Sequence, residues 1–72
     1  MVRVIRNLKT GEYFKKGDWT PRFDDAQQFQ AVSEIVRVCV ALKLTDVEMV
    51  MRIHPERPEL RVPIPNRSNL GA

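Results

Sequence analysis

The hydrophobic period of the chain changes once between Val32 and Ile53, and that change constrains the fold more than any other feature. Val32, Ile35, Val36, Cys39 and Leu42 recur at i, i+3, i+4, i+7 and i+10, which lines them along one face of a helix. Glu34, Arg37 and Ala41 take the opposite face. Val47, Met49, Met51 and Ile53 then alternate with Glu48, Val50 and Arg52, the period of a half-buried strand. An apolar helix running into such a strand through Thr45-Asp46 belongs to the α+β class. The two periods predict a core of Val32, Ile35, Val36, Cys39, Leu42, Met49, Met51 and Val62.

Upstream, Val2 to Arg6 is β-branched and reads as a strand, and Asn7 to Gly11 as a turn in which Gly11 can take a positive φ. Glu12 to Lys16 is the return strand, ended by Gly17-Asp18. Trp19 to Phe23 is a connection, since Pro21 holds Thr20 extended. Asp24 and Gln27 have capping-box spacing, so a helix can begin there. The apolar run then continues either as one rod over 24–43 or as a short turn followed by a main helix. Downstream, Leu60, Val62 and Ile64 alternate with Arg61 and Pro63, and Pro63 assigns this last strand to a sheet edge. The resulting order is ββαββ, with one helix packed on one face of a four-stranded, mostly antiparallel sheet and the other face open. Residues 1–65 form a single domain, and 66–72 are expected to be a disordered tail.

Length and composition exclude several functional classes. Seventy-two residues leave room for one core only, and a domain this small is marginal without staples or a partner. Cys39 is the sole cysteine and sits in an apolar run, so a buried thiol in a reducing compartment is expected. Arg3 and Arg6 interrupt the N-terminal apolar stretch, and the longest apolar region falls short of a bilayer span. The expected location is cytoplasmic, with no membrane partner. Twelve basic and nine acidic side chains give a net charge of +3, compatible with an anionic partner without demanding one.

Tyr13, the turn Gly17-Asp18-Trp19-Thr20, Ala26, Phe29, the apolar helix, Leu44, Val47-Glu48-Met49-Val50 and the closing Val62-Pro63 form a pattern that spans nearly the whole chain. It resembles a class of short uncharacterised bacterial and phage-associated ββαββ proteins. The resemblance implies a fold and no activity. The chain departs from the pattern at Ala31, which stands where a Ser or Thr helix cap is expected.

Catalytic and metal chemistry find little to work with. One His and one Cys on different elements fall short of a zinc ligand set, so no cofactor or metal is expected. Ser33 and Ser68 lack a nucleophile context, and Asp24-Asp25 reads as a helix cap and dipole partner rather than an acid–base pair. The expectation is a non-enzyme. Two binding functions remain. The first is a protein-interaction module, self-associating or with another protein, in which Val38 and Val40 extend the apolar arc of the helix beyond what one small sheet can cover. Trp19 either anchors that partner or plugs the core. The second is nucleic-acid binding through the open sheet face, displaying Arg52 and Arg61, with Arg3 joining them if Val2 and Val4 point inward.

Overall fold

The computed structural model describes residues 1–64. The expected tail, 66–72, lies outside the described residues. Five strands form one antiparallel sheet: β1 (Val2–Asn7), β2 (Tyr13–Lys15), β3 (Asp18–Thr20), β4 (Val47–Arg52) and β5 (Leu60–Pro63), in the spatial order β3-β2-β1-β4-β5. A single α-helix, α1 (Val32–Ala41), follows a short 3-10 turn at Phe23–Asp25. The class is α+β.

The strand count corrects the four expected, and the reason is a tight turn. Lys16 and Gly17 both have positive φ, 45° and 88°, and Lys15 pairs with Asp18 across them. That is the geometry of a two-residue hairpin whose twist matches its strands. Gly17 therefore starts a second hairpin rather than ending the first, and Trp19 lies in a strand. The first hairpin forms as its sequence predicts. Asn7 Oδ1 accepts the N–H groups of Lys9 and Thr10, and Gly11 takes φ 77°.

Residues 24–43 divide into a turn and a main helix because their backbone donors are diverted to the sheet. β1 and β2 pair only at Arg6 and Tyr13 and then splay apart. Into that gap runs the segment after the 3-10 turn: Gln27 N–H donates to the Phe14 carbonyl and Phe29 N–H to the Arg3 carbonyl, both at 2.9 Å. Ala26 packs with Val4 and Val50 on one side of the sheet, and Phe29 packs with Ile5, Phe14 and Ile35 on the other. The chain thus crosses from one face to the other before α1 begins. No capping box forms at Asp24; Gln27 Oε1 instead accepts the Lys16 N–H at 3.2 Å. At its other end α1 closes with Leu44 N–H bonded to the Cys39 carbonyl and Lys43 N–H to that of Val40, a Schellman arrangement. Lys43 holds the left-handed position with φ 54°, which glycine ordinarily takes.

The core differs from the one the two periods predict. Ile35, Cys39 and Met49 are buried and Met51 is half-buried, but Val32, Val36, Leu42 and Val62 are exposed. Only one ridge of α1, Ile35 and Cys39, is fully covered, because the helix lies over β1 and does not reach β5. The opposite sheet face is not open as expected either. Phe23 and Ala26 pack over Val2, Val4, Tyr13 and Val50 there.

Candidate interaction surface

The position of α1 fixes which of its flanks is left bare. Phe29 is tied to Arg3 at its start, and Leu8 N–H donates to the Asp46 carbonyl at 2.8 Å just past its end, so α1 runs alongside β1 in the same direction. The Arg3 carbonyl points toward the β2 side, and β4 pairs with the other edge. For a right-handed helix in that orientation, the residues clockwise and anticlockwise of Ile35 and Cys39 fall on opposite sides. Val38 falls toward β2 and β3, where it packs on the core together with Trp19. Val32, Val36 and Val40, an i, i+4, i+8 ridge, fall toward β4 and β5.

On that side lie Leu60 and Val62, opposite Met51 and Met49 in register and therefore on the same face as the helix. The five residues Val32, Val36, Val40, Leu60 and Val62 are each 41–51% exposed. Met51 floors the trough between them. Ile53, also exposed, carries the apolar surface past the end of β4 to a shallow cavity of about 520 Å³ that it lines with His54, Arg57, Pro58 and Leu60. The result is an apolar strip between a helix ridge and an edge strand, with Arg57 at its far end.

On the opposite face, around the Val4-Ala26-Val50 cluster, charged side chains are paired within the chain. Arg6 donates to Glu48 Oε2 at 3.0 Å, and that hydrogen bond raises the guanidinium pKa further above its ordinary value. Arg52 stacks 3.8 Å over the Phe23 ring and reaches Glu59 at 3.5 Å, while Phe23 meets Tyr13 edge-on.

Of the residues singled out from sequence, Val40 belongs to the strip, Val38 is half-buried against the core, and Trp19 is half-buried in T-shaped contact with Phe14 at 5.8 Å. Trp19 therefore stands at the far edge from β5. Arg3, Arg52 and Arg61 are not brought together. Arg3 pairs in register with Met51 and so points to the helix face, where its guanidinium donates to the Gln30 carbonyl at 2.8 Å. Val2 and Val4 point to the other face, so the condition for Arg3 to join the group fails. Arg52 is engaged, and Arg61 alone stays exposed on that face. Sequence reasoning missed Val32, Val36, Leu60, Val62 and Ile53. The valine ridge at fourfold spacing was the available signal, but its partner strand is legible only once β5 is placed.

Burial beneath α1 raises the Cys39 thiol pKa, and His54 sits in the exposed β4–β5 turn with its Nδ1 accepting the Glu56 N–H. Among the described residues, no group of three His, Cys, Asp or Glu side chains could hold a metal ion. No helix among them is long and apolar enough to cross a membrane. No protein family, curated protein or solved structure matches the chain.

Proposed function

We propose that this chain is a non-catalytic protein-interaction module whose docking surface is the strip between the Val32-Val36-Val40 ridge and β5. The observation that carries this reading is the juxtaposition of two apolar rows, each incompletely covered, from elements far apart in sequence. Monomeric proteins rarely leave contiguous apolar patches of more than a few hundred Å², and such patches mark contact sites. The titratable groups favour the same reading. Glu48 is occupied by Arg6, and the Cys39 thiol is held protonated under the helix. The arginine-bearing face supports nucleic-acid binding less well, because Arg6 and Arg52 already have carboxylate partners.

A photo-reactive amino acid placed at position 36 in cells producing the protein tests this. Discrete cross-linked products are expected from position 36 and not from position 15, an exposed site outside the strip. Equal yields from both positions, or none from 36, would remove the reading.

A further inference from the structure

Resting on that reading, we infer that the occupant of the strip is a second copy of this chain, packed about a two-fold axis. Three observations lead there. The first is area. The exposed parts of Val32, Val36, Val40, Ile53, Leu60 and Val62 amount to roughly 450–500 Å² per copy. Two copies would then bury about 900–1,000 Å² before any polar rim is counted, and the rim brings the total toward the roughly 1,200 Å² at which stable interfaces begin.

The second is self-complementarity. An isologous interface needs a patch that fits itself. The ridge Val32-Val36-Val40 is symmetric in residue type about Val36 and carries no charge, so a two-fold passing near Val36 sets valine against valine with no like-charge conflict. Ridges of i±4 spacing are also the ones that interdigitate most readily between helices.

The third is that the competing route next to the strip, pairing through the β5 edge, is blocked. Ile64 N–H donates to the Val47 carbonyl, so Leu60 and Val62, of the same parity, point their backbone groups toward β4. Arg61 and Pro63 are left to face outward. Pro63 has no N–H to give, and antiparallel pairing centred on Arg61 would set two guanidinium groups side by side. Sheet extension through β5 is therefore disfavoured, and association runs through side chains of the helix face. The same contact would supply what α1 lacks, since in one chain only Ile35 and Cys39 of the helix are fully buried and Val38 is half-buried.

Sedimentation equilibrium of the full chain over micromolar concentrations, repeated with Val36→Lys, tests the inference. Wild type should approach twice the 8.4 kDa chain mass. Val36→Lys should keep its circular dichroism, because Val36 is exposed in one chain, and should raise the dissociation constant by about a hundredfold or more. In a mixed sample of labelled and unlabelled protein, intermolecular contacts should join the Val36 and Val62 methyl groups. A monomer at 100-fold the working concentration would overturn the inference. So would a dimer indifferent to Val36→Lys, or intramolecular contacts from Leu70 to Val36, which would make the chain's own C-terminal segment the occupant. A monomer that still cross-links from position 36 to another protein would overturn the dimer alone. A monomer that forms no cross-link would remove both readings.

Discussion

Arg6 and Glu48 are Cα partners across β1 and β4, and their side chains meet at 3.0 Å with Glu48 almost wholly buried and Arg6 partly in solvent. The two ends of this pair are therefore unequal. Arg6→Ala strands a buried carboxylate and should cost about 2–3 kcal/mol, whereas Glu48→Ala leaves an arginine that can reach water and should cost about 1–2 kcal/mol. Replacing both with apolar residues, Arg6→Met with Glu48→Leu, should return stability to within about 1 kcal/mol of wild type. Urea unfolding of the three variants checks the order; equal costs for the two single changes would contradict the assignment of the burial.

Neighbouring positions on α1 should behave very differently. Ile35 is 1% exposed, and Ile35→Ala should cost about 2–4 kcal/mol, enough to unfold much of a domain this size. Val36→Ala should cost less than about 1 kcal/mol in dilute solution, with a larger loss as protein concentration rises. Thermal unfolding at two concentrations separates the two effects.

Two left-handed residues are sites of gain. Lys43 closes the Schellman turn at φ 54°, and Lys16 opens the β2–β3 turn at φ 45°. Lys43→Gly and Lys16→Asn should each stabilise by about 0.5–1 kcal/mol, since those residues enter this region with less strain. Chemical denaturation midpoints check both.

Much of the architecture is legible in the sequence. The first hairpin, the helix, a strand at Val47–Arg52 and the edge position of the Pro63 strand all follow from period and turn chemistry, although the strand at Val47 is buried on both faces rather than half-buried and Ile53 is exposed. Two features are not. The Lys16-Gly17 turn places a lysine at positive φ, so nothing in its residue type distinguishes a hairpin from a strand end. The sequence leaves the crossing segment Gln27–Phe29 open between one rod and a turn before the helix, because its competing partners, the Phe14 and Arg3 carbonyls, are exposed only where β1 and β2 splay. The candidate surface was half legible for a related reason. Helical period marks an apolar arc on α1 but cannot say which part of it a sheet of finite width covers.

The Cys39 thiol has its pKa raised by burial, so the folded state holds its proton more tightly than the unfolded chain. This contribution to stability is fully present below the thiol's unfolded pKa and is lost as pH rises through the alkaline range toward the folded value. Stability should therefore fall with pH above about 8.5, and more steeply than in Cys39→Ala. Parallel curves for the two proteins would contradict the burial. Alkylation of Cys39 should likewise wait on unfolding.

The paired arginines should bind nucleic acid poorly. Fluorescence anisotropy with short mixed duplexes and single strands at low salt is expected to show no saturable binding. Saturable binding abolished by Arg52→Ala with Arg61→Ala would favour the nucleic-acid function instead.

The proposed function requires α1 and β5, far apart in sequence, to act as one contact surface. Methyl NMR over a dilution series tests it most directly. Val32, Val36, Val40, Leu60 and Val62 should shift together along a single binding curve while Val4 and Ile5 stay fixed. Helix methyls that move without those of β5, or shifts unchanged across the series, would contradict it.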